Sequence, residues 1–347
     1  LTAVIPYRPL NGLQGFDKIK TIMAFGNDLA CHWGCAKVFS VLEFCRILPI
    51  LESWLTTEDS EGKGAGEMAY TTLEDFLGDI VGKARRGQGI DASEISKATG
   101  LSAEQIGQIE SYALTPEDSI IKSLANVLNL DGDKLVSVAK GWLPGWPDEP
   151  FENSLLRVDR LVLDAGMTVN CYALTCKSTE KAAVIDPGGE ADRILNLIKQ
   201  MGVEVTHILL THGHGDHVGA LERVANTTNA IVCGCERDFG LMGGKSKMVA
   251  QRVTEGWQTK VGKVEVKTFD LAGHTPGGIG YYAPPIFFSG DALFAGSLGG
   301  ARGEAYAGQI KAVAQKVLGL PDETRIFPGH GPITSVEQEK THNPYFV

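Results

Sequence analysis

Apolar positions along the chain change their period near residue 150, and the change separates two architectures. Between Leu73 and Val138 they recur at helical spacing, as on amphipathic helices that share a core. The spacing predicts helices over Leu73–Lys83, around Ile95 and Ala98, beyond Ser102 with Ile106 and Ile109 on one face, over Pro116–Leu128 and over Asp131–Val138. Gly100-Leu101-Ser102 reads as a turn with Ser102 as N-cap, whose hydroxyl can accept from an otherwise orphaned helix N–H. From Asn153 short β-branched runs take over. Leu155–Leu163, Thr168–Thr175 and Ala182–Ile185 predict strands, Asp192–Met201 a helix and Val205–Leu210 a buried strand. Strands alternating with helices imply an α/β layer arrangement with sites at strand ends.

This patterning divides the 347 residues into a segment 1–67, a helical unit 68–145, a linker 146–152 and an α/β unit 153–347. The first segment predicts one helix, Ala36–Leu55, and ends in Glu61-Gly-Lys-Gly-Ala-Gly-Glu67 directly before Met68. Codons for that stretch are purine-rich, as in a ribosome-binding site, so Met68 is read as the natural start. The rival reading is an accessory region that packs on the core or docks a partner. Trp142–Pro150 is rich in Pro and Trp and resists regular structure.

A net charge of −10 argues against a mainly nucleic-acid-binding protein, because neutralising phosphate needs excess Lys and Arg. Val38–Leu55 is the strongest apolar run, but Glu43, Arg46 and Glu52 interrupt it, so no membrane span is expected. Seven cysteines, an odd number, with no secretory leader fit a reducing, cytoplasmic setting. Cys31-His32-Trp33-Gly34-Cys35 lacks a second Cys/His pair at finger spacing.

Asp91–Glu110, followed by Ile121–Leu130, resembles the helix-turn-helix of phage-repressor-type domains. That family inserts the start of its second motif helix into the major groove, which here means Ala103, Glu104, Gln105 and Gln108. Leu101–Asp118 nevertheless contains four acids and no Lys or Arg, and residues 68–145 carry seven basic against eleven acidic side chains. Dimerisation or protein docking is therefore expected ahead of DNA binding.

The chemistry concentrates in Thr211-His-Gly-His-Gly-Asp-His217, at the end of a predicted strand. Imidazole and carboxylate are donors that zinc, iron and manganese accept. Four of them within six residues form a costly cluster without a cation. His274 in Ala-Gly-His-Thr-Pro-Gly-Gly, Asp291 in Phe-Ser-Gly-Asp-Ala-Leu-Phe and His330 in Phe-Pro-Gly-His-Gly-Pro extend the set. The bland reading, a satisfied loop histidine, suits His32, His207 and His342 better than these five.

Together these motifs resemble the metallo-β-lactamase superfamily across nearly all of residues 153–347, and within it the short glyoxalase-II-like hydrolases. Ile185-Asp-Pro-Gly-Gly189 and His342-Asn-Pro-Tyr-Phe346 add to the resemblance. It implies an αββα sandwich, and with the phage-repressor resemblance the chain reads as an α+β fold in which a small all-α helix-turn-helix domain precedes that sandwich. It also implies two divalent cations, zinc first, with iron or manganese as alternatives. His212, His214 and His274 would hold one, Asp216, His217 and His330 the other, and Asp291 would bridge them. A metal-bridged hydroxide oriented by Asp216 would then attack a thioester carbonyl.

Seventeen residues follow His330, so the C-terminal helical domain of full glyoxalase II enzymes is not expected. Gly296–Glu304 also departs from that family's pattern. Leu241–Lys260, with Lys245, Lys247 and Arg252, reads as a solvated loop ahead of a cationic lid. Tyr281 and Tyr282 read as core, and Cys233 with Cys235 as buried thiols. A small-molecule thioester is the expected substrate. The alternatives are a lactone or other ester hydrolase, then a mononuclear-iron persulfide dioxygenase, then a metal-fold-linked DNA-binding regulator. A homodimer through the helical unit is one assembly this reading allows, and the sequence leaves the oligomeric state open.

Overall fold

The computed structural model describes residues 70–145 and 150–347, all within one compact unit. The expectations for residues 1–67, including the Cys31–Cys35 cluster, the Ala36–Leu55 helix and the start at Met68, lie outside the described residues. Among the described residues, no helix is long and apolar enough to cross a membrane.

Five helices come first: α1 (Leu77–Gln88), α2 (Ala92–Thr99), α3 (Ala103–Glu110), α4 (Asp118–Val127) and α5 (Gly132–Ala139). Ser102 caps α3, accepting from Gln105 N at 3.1 Å, and its own N–H donates to Gln105 Oε1 at 2.9 Å, a reciprocal box that satisfies two orphan donors. Helix α1 begins four residues later than its apolar period predicts. Phe76 is its N-cap, and the Phe76 N–H donates to Asp79 Oδ2 at 2.9 Å. Leu73 kept the period going because it is buried in the same cluster without being helical.

A seven-stranded sheet follows the order β1 (Phe151–Glu152), β2 (Leu156–Asp164), β3 (Thr168–Cys176), β4 (Lys181–Ile185), β5 (Glu204–Leu209), β6 (Ile231–Gly234) and β7 (Gln251–Arg252). Its first four strands pair antiparallel and the later ones parallel. Helices α6 (Ala191–Met201), α7 (Gly215–Val218), α8 (Leu221–Thr228) and α9 (Phe239–Met242) lie among these strands in sequence. The second sheet has six strands: β8 (Gln258–Val261), β9 (Val264–Asp270), β10 (Ile279–Ala283), β11 (Ile286–Gly290), β12 (Arg325–Pro328) and β13 (Thr334–Ser335), ordered β13-β12-β11-β10-β9-β8. Helices α10 (Glu304–Ala312) and α11 (Val336–His342) complete the chain.

Strand alternation distributes the side chains into three buried clusters. Leu174, Tyr281, Phe288 and Phe327 fill the space between the sheets. Ile194 and Ile198 of α6 and Val224 of α8 share a cluster with Val184 and Ile208 of the first sheet. Phe287 and Ile326, on the other face of the second sheet, share one with Tyr306, Val313, Ile80, Leu124 and Leu135. The layers therefore run helix, sheet, sheet, helix. Helices α1–α5 contribute to the last of these layers. Gly303 N donates to Gly87 O at 2.8 Å, and Asp131 N to Pro344 O at 2.8 Å.

Candidate metal centre

Strand ends assemble the centre. His212 follows β5, His214 caps α7, and Asp216 and His217 lie within that short helix. His274 follows β9, Asp291 follows β11 directly, and His330 comes two residues after β12. All seven residues singled out in the sequence meet here. His212, His214, His274 and Asp291 form one group of donors, and Asp216, His217 and His330 a second; within each, one donor atom per residue lies within 4.8 Å of the others.

Asp291 stands between them. Its Oδ2 is 3.4 Å from His274 Nε2, 3.7 Å from His212 Nε2 and 3.5 Å from His330 Nε2, while Oδ1 is 3.3 Å from His217 Nε2. Asp216 Oδ2 approaches His330 Nε2 at 3.2 Å and His217 Nε2 at 3.5 Å. Imidazole nitrogens also face one another: His214 Nδ1 is 3.1 Å from both His212 Nε2 and His274 Nε2.

The far nitrogen of most rings is fixed by a fold oxygen. His274 Nδ1 donates to Gly300 O at 3.0 Å, His330 Nδ1 to Thr168 O at 2.5 Å and His217 Nδ1 to Asp186 Oδ2 at 2.9 Å. A proton held at Nδ1 leaves the Nε2 lone pair aimed at the common space. Asp186 also accepts from Thr211 N at 2.8 Å and Thr211 Oγ1 at 2.6 Å, so one buried carboxylate steadies the start of the histidine loop and orients His217. Asp238 does similar work for the first group, accepting from Gly213 N, Thr275 Oγ1 and Gly277 N at 3.0, 2.7 and 2.6 Å. Gly188 is required by close approach: a Cβ there would stand 1.7 Å from the Asp216 carbonyl oxygen.

Charge differs between the two groups. Burial drives the His212 pKa well below its ordinary value, and it lowers His274 despite the opposing pull of Asp291. Burial acts the same way on His217 and His330, but carboxylates outweigh it. Asp291 and Asp186 push His217 up to about 10, and Asp291 and Asp216 push His330 up to about 11. Asp291 is held well below the carboxylate range because His217, His212 and His330 outweigh its burial.

This donor set fits divalent cations. Imidazole and carboxylate suit zinc, iron or manganese, and two groups that share one carboxylate suit a pair of ions. Asp291 Oδ1 is buried without a hydrogen-bond partner, a cost that a cation beside it removes.

Two contributors escaped the sequence reading. Asp186 lay within the Ile185–Gly189 motif without a role assigned, and Asp238 carried no local signal. Other side chains take structural places. Tyr281 is buried and donates to Leu210 O at 2.9 Å. Burial pushes the Cys233 thiol up to about 12. His207 meets Thr206 and Thr259 hydroxyls at 2.8 and 3.2 Å, and His342 stacks on Trp142 with ring centroids 4.5 Å apart. Residues 241–260 are mostly exposed or part-exposed, with Lys245 donating to Gly219 O at 3.0 Å and Arg252 paired with Glu236 at 3.0 Å.

Residues 165–330 match the metallo-β-lactamase superfamily. The chain is 33% identical over 196 residues to the hydroxyacylglutathione hydrolase GloC of Haemophilus influenzae, a match covering 51% of this chain and 92% of that protein. This chain belongs to the metallo-β-lactamase superfamily. A second superfamily relative, the probable metallo-hydrolase YqgX of Bacillus subtilis, is 32% identical over 196 residues, covering 51% of this chain and 91% of that one. The crystal structure of the B3 metallo-β-lactamase BLEG-1 superposes with a TM-score of 0.50 at 28% identity, over 55% of this chain and 99% of that one. The expected αββα sandwich is the fold observed.

Proposed function

We propose that the protein is a binuclear metal-dependent hydrolase that cleaves an acyl thioester. The observation that carries this is the convergence of seven donors in two groups around Asp291. His212, His214 and His274 would hold one ion, Asp216, His217 and His330 the other, with Asp291 between. Zinc is the first expectation for such donors, and iron or manganese would suit them also. Bound there, the cations supply a water of lowered pKa and polarisation of the carbonyl under attack.

The chain's own residues do the rest. Asp216, less buried than His217 and His330, accepts a hydrogen bond from the attacking water at its carboxylate and orients it. His274 and His214, both part-exposed, border the opening through which a substrate arrives. Asp186 and Asp238 hold the histidine loop rigid, so the donors need no rearrangement when substrate binds. The thioester assignment is supported by the relative whose name is a hydroxyacylglutathione hydrolase. A lactone or other ester on the same site is the alternative.

The stretch that resembles a helix-turn-helix comprises α2 and α3, joined through Gly100 in a left-handed conformation, φ 76°. We assign this unit to docking or dimerisation rather than DNA reading. Glu104 is exposed at the N-terminal end of α3, and the Gln105 side chain is engaged in the capping box.

Metal content measured together with hydrolysis of S-lactoylglutathione tests the function. Two ions per chain with thioester cleavage support it. Two ions without cleavage move the substrate to lactones and esters, and a single iron overturns the binuclear reading.

A further inference from the structure

The loop from Phe294 to Gly300 touches three of the seven donors. Gly300 O accepts from His274 Nδ1 at 3.0 Å. Gly299 lies so close that a Cβ there would stand 1.9 Å from the Asp291 carbonyl oxygen and 3.0 Å from the His274 ring. Phe294 sets its ring edge-to-face against His330, centroids 5.8 Å apart. No side chain of this loop is itself among the donors.

The loop is held from outside the sandwich. Asp75, buried in the segment before α1, accepts from Ser297 Oγ at 2.6 Å and is ion-paired to Lys83 of α1. Lys83 Nζ also donates to Leu298 O at 3.1 Å and sits 5.1 Å above the Phe294 ring. A buried acid, its ammonium partner, a hydroxyl, a carbonyl and an aromatic face thus form one network across the two regions. A backbone carbonyl that fixes a ligating imidazole is worth as much as its own position is rigid.

We propose that Asp75 and Lys83 are positioning residues for the metal centre, through which the helical region sets the geometry of His274, Asp291 and His330. The inference rests on the metal reading above. Its consequence is that cation affinity depends on contacts made more than 200 residues away in the chain, since Asp75 and Ser297 are 222 apart.

The test is zinc affinity of the full chain, measured by competition with a chromophoric chelator, alongside thermal midpoints. Lys83→Met, the double variant Asp75→Asn/Lys83→Met, and Ser297→Ala should each weaken zinc binding, by about tenfold for the first two. Ser297→Ala removes a single hydroxyl, so it keeps the test open should the others fail to fold. Arg85→Met serves as the control. It breaks a pair of bonds to Glu110, at 2.6 and 2.9 Å, inside the helical region and away from the loop, and should lower the midpoint without changing zinc affinity. Unchanged zinc affinity in folded Lys83→Met and Ser297→Ala overturns the proposal, and so does an equal loss in Arg85→Met, which would mean general loosening. A wild-type chain that binds no zinc, iron or manganese would instead overturn the metal reading itself.

Discussion

The group of His212, His214 and His274 and the group of Asp216, His217 and His330 share Asp291, yet their surroundings carry opposite charge balances. The first is mainly imidazole, and burial keeps His212 and His274 below their ordinary pKa. The second sets two imidazoles among Asp186, Asp216 and Asp291, and both take pKa values far above neutral. At pH 7 His212 and His274 offer neutral lone pairs, whereas His217 and His330 hold protons. Similar donors, a few ångströms apart, differ because of the carboxylates behind them. A cation entering the second group would therefore have to replace protons.

The largest expected effect comes from removing what the groups share. Asp291→Ala should abolish binuclear loading, and two ions per chain by elemental analysis of that variant would contradict the bridging role. Next come the two outer carboxylates, which separate the groups. Asp238→Asn should weaken cation binding at the first group and Asp186→Asn at the second, each by about 10- to 100-fold. Titration of both variants with a chelator competitor reads the two steps apart, and an identical profile for both would collapse the distinction.

Proton release sharpens the comparison further. Loading the second group at pH 7 should expel protons from His217 and His330, and more of them than loading the first expels from His212 and His274. The sign follows from the raised values: protons compete below about 10 to 11, so second-group affinity rises with pH and falls on acidification. Calorimetry in two buffers of different ionisation enthalpy counts these protons. The smallest expected effect is that of Tyr70→Phe, which removes a 3.1 Å bond to Asn170 Oδ1. Asn170 donates to Pro328 O and Gly331 O on either side of His330, so about 1 kcal/mol of stability should be lost, with any change in loading confined to the second group.

The centre was legible in the sequence to the extent that its signals were local. Four donors within six residues, and three more that each directly follow a glycine, report themselves because cation donors and tight turns are both compositional. Asp186 did not, since its partner His217 lies 31 residues on and a lone Asp before Pro is an ordinary turn residue. Asp238 joins Gly213 to Thr275 and Gly277, three positions that only folding brings together. Strands β2 to β5 were legible within about a residue at each end, as with Thr168–Cys176 against an expected Thr168–Thr175, whereas the strands of the second sheet were given no bounds. What the helical period could not say is what its apolar face meets. Ile80, Leu124 and Leu135 read the same whether they close a core of their own or share one with Phe287 and Ile326.

That shared core also bears on how the protein is made. Synthesis runs from the N-terminus, so α1–α5 emerge well before Phe287, Tyr306, Ile326 and Tyr345, which join them in one cluster. Until those residues arrive, a nascent chain presents apolar surface of the kind that holding chaperones bind. A product interrupted after the histidine loop would keep that surface exposed, because every partner residue named above lies beyond it in the chain.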